Sequence, residues 1–122
     1  MKILVIDDSK AMRTFLKFLL SELKFDAVEA EDGVHALELL IQQPGFALAL
    51  VDWDMPRMNG LEFVQAVRAD PAYANLPLMM VTTQNSMERV AGALTAGAND
   101  YLMKPVTKES LEEKLRMLGL VA

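Results

Sequence analysis

Five short apolar runs alternate along the chain with segments in which apolar residues recur every three or four positions. The runs are KILVID at 2–7, DAVEA at 26–30, FALALVD at 46–52, LPLMMVT at 76–82 and NDYLMK at 99–104. Short apolar runs bounded by turn residues are typical of buried strands. We therefore predict a strand over each range, with DAVEA the weaker one and Pro77 near the start of the fourth.

A helix is predicted after each strand, because the intervening apolar residues form stripes with helical spacing. The stripes are Met12, Phe15, Leu16, Leu19, Leu20 and Leu23; Val34, Leu37, Leu40 and Ile41; Leu61, Val64 and Val67; Val90 and Leu94; and Leu111, Leu115 and Leu118. Residues suited to start or end these helices are Asp8 or Ser9 for the first, Asp32-Gly33 and Pro44-Gly45 for the second, Ser86 and Gly97 for the fourth, and Thr107 for the fifth.

Alternating strands and helices predict βαβ units, and strands that are apolar on both faces predict a parallel sheet covered on both sides. Right-handed crossovers then give a doubly wound α/β fold with five strands. With 122 residues and 52% hydrophobic content, the chain is expected to form a single domain, residues 1–122, with its own core.

Composition excludes several classes of protein. There are no cysteines, so disulfides and thiolate metal sites are ruled out. The net charge of −5 argues against direct binding to nucleic acid. No segment has the apolar length of a signal peptide or a membrane span. We therefore expect a cytoplasmic protein that neither inserts into membranes nor binds nucleic acid directly.

Polar side chains fall at the carboxyl ends of the predicted strands. Asp7 and Asp8 follow the first strand, Asp52 the third, Thr82 the fourth and Lys104 the fifth. Taken singly, each suits a helix cap, a turn or a solvated surface. In a parallel sheet whose central strands are the first, third and fourth, however, these residues converge in one cleft.

Three clustered carboxylates repel one another unless a cation joins them. A hard divalent ion such as Mg²⁺ suits carboxylates, a carbonyl, waters and a phosphate oxygen. The hydroxyl of Thr82 and the ammonium of Lys104 would then bind the remaining phosphoryl oxygens. One of the carboxylates can serve as the nucleophile and form an aspartyl-phosphate.

The motifs at these strand ends resemble those of the receiver domain of two-component response regulators. They are the acid pair 7–8 after ILVI, DWDMPRMNG at 52–60, MMVTT at 79–83 and DYLMKP at 100–105. The resemblance spans essentially the full length and is greatest to the single-domain chemotaxis type. It implies a flavodoxin-like sheet with strand order 2-1-3-4-5, an order for which flavodoxin and the chemotaxis regulator itself are the standard examples.

The resemblance also implies a role for each acid of the cleft. Asp52 matches the phosphoacceptor. Asp8, Asp52 and the backbone carbonyl of Asp54 match the direct Mg²⁺ ligands, and Asp7 matches the acid that holds the metal through water. The implied cofactor is therefore Mg²⁺.

The remaining motif residues match the switch machinery of the family. Thr82 matches the hydroxyl that moves onto the phosphoryl group, and Tyr101 matches the aromatic residue that rotates inward with it. Lys104 matches the lysine that pairs with the phosphoryl group, and its bond to Pro105 is implied to be cis. The implied output surface is formed by the fourth helix, the fifth strand and the fifth helix.

Several neighbours of the cleft are expected to modulate it. The side chain of Asp54 and residues Thr83 and Gln84 should set the lifetime of the phosphate, with Thr83 narrowing access to the phosphoryl group. Trp53 is expected near the site. His35 is expected on the surface of the second helix, without a role as phosphodonor.

These implications describe a signalling switch rather than a classical enzyme. A histidine kinase would pass a phosphoryl group from its phosphohistidine to Asp52, and the domain would promote its own phosphorylation and dephosphorylation. Further expected partners are a phosphatase and a downstream target: the flagellar switch, a phosphotransfer protein or an output domain. The sequence leaves three alternatives open: a chemotaxis regulator, a phosphorelay protein and a fragment of a larger regulator. No output domain is expected after LGLVA at 118–122.

Three other classes share part of the pattern. Haloacid dehalogenase-type phosphohydrolases combine D-x-D after a strand with Thr and Lys, but their D-x-D follows the first strand and their extra acids come after the lysine. A flavin- or nucleotide-binding domain would need a Gly-rich or Ser/Thr-rich loop after the first strand, where this chain has DDSKAM at 7–12. A receiver-shaped module that never takes phosphate would not need the complete set of acids, Thr and Lys.

Overall fold

The computed structural model describes residues 1–83 and 87–121. Its strands are β1 (Lys2–Ile6), β2 (Asp26–Ala30), β3 (Phe46–Asp52), β4 (Leu78–Thr82) and β5 (Asp100–Met103). Its helices are α1 (Lys10–Glu22), α2 (Gly33–Gln42), α3 (Gly60–Ala69), α4 (Met87–Ala96) and α5 (Lys108–Met117), with a short 3-10 turn at Pro71–Tyr73. Among these residues, no helix is both long enough and apolar enough to cross a bilayer.

The strands form one parallel sheet in the order β2-β1-β3-β4-β5. The predicted fold class and strand order are therefore confirmed. β2 and β3 have the predicted bounds, whereas β4 begins only after Pro77, which has no N–H to donate to the sheet. Because all strands are parallel, the residues that follow β1, β3, β4 and β5 lie at one edge of the sheet.

The core has one layer on each face of the sheet, and β3 supplies both. Leu48 and Leu50 pack with residues of α1 and α5, while Ala49 and Val51 pack with residues of α2 and α3. This alternation follows from the period of two along a strand. The two-sided burial explains why the sequence of a central strand is a continuous apolar run. The same alternation determines the face of the sheet on which the Asp52 side chain lies at the end of β3.

The predicted apolar stripes of the helices are buried at their centres, but some residues at their margins are exposed. Phe15 in α1, Ile41 in α2 and Leu94 in α4 are 41%, 77% and 39% exposed. Each helix packs on the sheet along one side only, so an apolar residue at the margin of a stripe stays in solvent.

Several helices begin shortly after a strand ends, with a side chain that caps the helix N-terminus. Ser9, rather than Asp8, caps α1 by accepting a hydrogen bond from the Met12 N–H. Asp32 caps α2 and Thr107 caps α5, as predicted. Gly97 follows α4 with a φ of +123°, in the region that favours glycine. The predicted cap Ser86 lies outside the described residues.

Candidate functional site

Asp7, Asp8 and Asp52 form a cluster at the carboxyl edge of the sheet. Each offers a carboxylate oxygen, and these oxygens lie within 4.8 Å of one another. The register explains the meeting, because Ile6 of β1 pairs with Val51 of β3 and an aspartate follows each. The sequence prediction that distant acids converge here agrees with this geometry.

Asp7 is the most deeply buried member of the cluster, with 2% of its surface exposed. Its side chain accepts a hydrogen bond from the Ser9 N–H at 2.9 Å through Oδ1. Its Oδ2 is buried and has no hydrogen-bond partner within residues 1–83 and 87–121. Burial raises the pKa of Asp7. An ionised oxygen buried without a donor is costly, so this atom is suited to a cation or to water held by one.

The Asp52 carboxylate is repelled by the neighbouring acids and attracted by Lys104. It is 8% exposed, and its Oδ1 accepts a hydrogen bond from Lys104 Nζ at 3.1 Å. Burial and the negative charge of Asp7 raise the pKa of Asp52 to about 6, although Lys104 acts in the opposite direction. One lysine therefore does not compensate the charge of the cluster.

The donor set fits a hard divalent cation. Three carboxylates meet, one buried oxygen lacks a partner among the described residues, and the negative charge of Asp7 raises the pKa of Asp52. Oxygen ligands with excess negative charge match Mg²⁺, which retains waters and uses few carboxylates. The backbone carbonyl of Asp54 lies two residues beyond Asp52, and its role as a ligand stays a prediction.

Thr82 and Lys104 lie on the other side of Asp52. Thr82 ends β4, is 4% exposed and donates a hydrogen bond from Oγ1 to the Thr83 carbonyl at 3.4 Å. Lys104 follows β5, its N–H donates to the Thr82 carbonyl, and its bond to Pro105 is cis. The Lys104 ammonium thus contacts Asp52 directly, and Thr82 follows Val81, the residue of β4 that pairs in register with Asp52.

Tyr101 lies further down the sheet than the strand ends. It pairs in register with Met80, two residues before Thr82, and is half-buried. Lys114 Nζ lies 4.7 Å from the centroid of its ring. Its role as a switch residue stays a prediction. Thr83 is exposed, and Gln84 lies outside the described residues.

Two loop residues after Asp52 contact α4. The Asp54 carboxylate accepts from Arg89 Nη1 at 3.0 and 3.3 Å, and the Arg89 guanidinium carbon lies 5.5 Å from the centroid of the Trp53 ring. Trp53 is half-buried, and the expectation that its ring lies near the acid cluster stays a prediction. Sequence reasoning missed Arg89, because no motif relates it to residues 35 positions away.

A second pair that sequence reasoning missed, Arg57 and Asp32, connects the same loop with the N-terminus of α2. Arg57 has a positive φ of 63° and donates to Asp32 from Nε at 2.7 Å and from Nη2 at 3.1 Å. Burial opposes ionisation of Asp32, but the bonds and charge of Arg57 and the bond from the His35 N–H together outweigh it and hold the pKa of that carboxyl below its usual range. His35, next to this pair on α2, is half-buried and accepts from the Glu31 N–H through Nδ1.

Fold and site together define an α/β domain that presents the Asp52 carboxylate beside two other acids and a lysine, with Thr82 at the end of the neighbouring strand. The model of the response regulator receiver domain family matches residues 3–116, and the chain belongs to this family. The family interpretation of the sequence is thereby confirmed.

The similar proteins include regulators of chemotaxis. A chemotaxis protein CheY homolog of Campylobacter jejuni is 47% identical over 116 residues, which cover 94% of this chain and 89% of that protein. Chemotaxis protein CheY1 of Helicobacter pylori is 44% identical over 119 residues, covering 97% of this chain and 96% of that one. The structure of Vibrio cholerae chemotaxis protein CheY4 superposes with a TM-score of 0.88 at 33% identity, over 96% of this chain and 97% of that one. The predicted similarity to the single-domain chemotaxis type is confirmed.

Proposed function

We propose that the chain is a phosphorylation-activated switch in chemotaxis-type signalling, with Asp52 as the phosphoacceptor and Mg²⁺ as the cofactor. The observation that carries this proposal is the ion pair of Asp52 with Lys104 inside a cluster of three acids. Only Asp52 in that cluster has both a lysine partner and the strand-end position between β1 and β4. The identity to chemotaxis regulators supports the pathway.

In the proposed reaction, a carboxylate oxygen of Asp52 attacks the phosphorus of a kinase phosphohistidine. The new O–P bond forms as the P–N bond breaks, and the imidazole leaves with the electron pair. With a pKa of about 6, Asp52 is mostly ionised at neutral pH and is available as a nucleophile. When bound, Mg²⁺ supplies positive charge that offsets the carboxylates and the incoming phosphoryl oxygens.

Lys104 and Thr82 then act on the product. The Lys104 ammonium, which pairs with Asp52 before the reaction, then pairs with a phosphoryl oxygen, and the Thr82 hydroxyl donates a hydrogen bond to another phosphoryl oxygen. Both bonds exist only in the phosphorylated state, so they shift the equilibrium between two conformations. We place the resulting change of affinity on the surface of α4, β5 and α5, where the flagellar switch, a phosphotransfer protein or an output domain would bind.

The proposal is tested by incubation with acetyl phosphate, with and without Mg²⁺, followed by intact mass measurement. A Mg²⁺-dependent gain of one phosphoryl group is expected in the wild type and is expected to be absent in Asp52→Asn. Asp70→Asn, which changes an acid at the opposite edge of the sheet, is the control. Uptake by Asp52→Asn would contradict the assignment of the acceptor, and steady release of phosphate from small phosphate esters without a kinase would favour a hydrolase.

A further inference from the structure

Arg89 connects the first turn of α4 with the two residues that follow the proposed phosphoacceptor. It pairs with the Asp54 carboxylate and lies over the Trp53 ring. We propose that Arg89 balances the charge of Asp54 and thereby sets both the affinity of the site for Mg²⁺ and the rate at which an anionic phosphodonor reacts. This inference rests on the function proposed above.

The charges of the site show why this balance is needed. Asp7, Asp8 and Asp52 contribute three carboxylates and Lys104 one ammonium. Asp54 is a fourth carboxylate, two positions from Asp52 in the chain. With its charge uncompensated, Asp54 would add to the repulsion that a phosphate dianion meets on approach and to the attraction felt by a cation.

The contacts of Arg89 favour a role in charge balance over a role in holding the fold together. The side chains of Arg89 and Asp54 are 49% and 80% exposed. Ion pairs this exposed contribute little to stability. The Trp53 ring gives the guanidinium a second contact, so Arg89 stays beside the site even when the Asp54 charge is removed.

The two readouts should therefore move in opposite directions. Removing Arg89 leaves the Asp54 charge uncompensated, which tightens Mg²⁺ binding and slows phosphorylation by acetyl phosphate. Removing the Asp54 charge leaves Arg89 uncompensated, which weakens Mg²⁺ binding and speeds phosphorylation. A loosened structure would impair both properties together. We expect about threefold changes, as for one unit charge acting through solvated surface, and smaller ones at high ionic strength.

The experiment compares the wild type with Arg89→Ala, Asp54→Asn and the double variant. Asp54→Asn keeps the backbone carbonyl and nearly the shape of the side chain. Calorimetry gives the Kd for Mg²⁺ of the unphosphorylated proteins, and mass spectrometry at saturating Mg²⁺ gives the rate with acetyl phosphate. The expected result is opposite shifts in the two single variants and values near those of the wild type in the double variant, which restores the net charge of the pair.

The control is Arg116→Ala, since Arg116 lies in the last turn of α5 and α5 runs away from the carboxyl edge of the sheet. It makes the same change in net charge and should leave both readouts within error of the wild type. Shifts of the same sign in Arg89→Ala and Asp54→Asn would overturn the inference and indicate a mechanical link. Unchanged values would overturn it too. A wild type that neither binds Mg²⁺ nor takes up phosphate would instead refute the proposed function.

Discussion

Lys104 and Asp52 form an ion pair of 3.1 Å between Nζ and Oδ1, yet the pKa of Asp52 is raised to about 6 rather than lowered. Burial is the first cause and the charge of Asp7 the second, and together they outweigh the lysine. The site is thus under electrostatic strain at neutral pH in the absence of a cation. This strain has consequences that can be measured.

The first consequence is a pH dependence of stability in metal-free buffer. The folded protein holds the Asp52 proton more tightly than the unfolded chain, whose reference pKa is 3.8. This stabilising contribution is complete below pH 4 and is lost as the pH rises through about 6. At pH 7, Asp52→Asn should therefore be more stable than the wild type by on the order of 3 kcal/mol, and the gap should close near pH 4.

Urea unfolding of both proteins at several pH values with a chelator measures this difference. Taking the difference between the two proteins cancels the opposite contribution of Asp32, whose lowered pKa gives stability that is lost towards acid. A gap that stays constant from pH 4 to 8 would show that Asp52 ionises normally.

Mg²⁺ should relieve the same strain. We expect it to bind only the assembled cluster of Asp7, Asp8 and Asp52 and therefore to raise the melting temperature. At a concentration one hundred times Kd, the gain is about 2.7 kcal/mol. The shift should be larger at pH 8 than at pH 5, because the ion competes with protons for the carboxylates.

Scanning calorimetry with and without Mg²⁺ tests this prediction. Asp8→Ala should lose most of the shift, whereas Asp26→Ala, an exposed acid at the start of β2, should retain it. Equal shifts in these two variants would mean that the ion acts elsewhere on this acidic protein.

The sequence predicted the sheet well because its central strands, β1, β3 and β4, are buried on both faces. β3 is apolar from Phe46 to Val51, and such a run followed by a single acid leaves few alternatives. Once the strand order is assumed, the meeting of Asp52 with Lys104, 52 residues apart, follows from topology alone. Side chains at strand ends were therefore predictable.

The arginine contacts were not predictable in this way. Arg57 reaches Asp32, and Arg89 reaches Asp54, through long side chains whose targets depend on loop conformation. A positive φ at a non-glycine residue such as Arg57 leaves no mark in the sequence pattern. Both contacts involve a residue of the loop after β3, and hydrophobic periodicity does not extend into loops.

Gly60 should be intolerant of any side chain. A Cβ there would lie 2.6 Å from the Asp52 carbonyl oxygen and 3.0 Å from the Trp53 Cα, both of which are backbone atoms at the site. Gly60→Ala must therefore move the end of β3 or the start of α3. We expect a loss of stability of about 1–3 kcal/mol and slower phosphorylation by acetyl phosphate.

Gly92 provides the matched control, because a Cβ there meets nothing within 4 Å on an exposed part of α4. Gly92→Ala should raise stability by about 0.5–1 kcal/mol through helix propensity. Urea midpoints and phosphorylation rates of the two variants give the comparison. Equal stability of the two variants would show that the Asp52 carbonyl can move away from the added Cβ at little cost in free energy.

Arg68 should matter for stability and not for phosphorylation. Its guanidinium donates to the carbonyls of Gly97, Tyr73 and Leu76 and to the side chain of Asn99, at 2.8 to 3.0 Å. These acceptors join the end of α3 to the segments that precede β4 and β5. They lie at the amino edge of the sheet, away from the acid cluster.

Arg68→Ala leaves several partly buried acceptors without their donor, so we expect a loss of about 2–3 kcal/mol. Arg68→Lys should recover little of it, because one ammonium cannot reproduce the planar arrangement of donors. Urea unfolding gives the stability, while the Kd for Mg²⁺ and the rate with acetyl phosphate should stay at wild-type values in the folded protein. A change in either of those two values would show that the amino edge of the sheet is coupled to the site at its carboxyl edge.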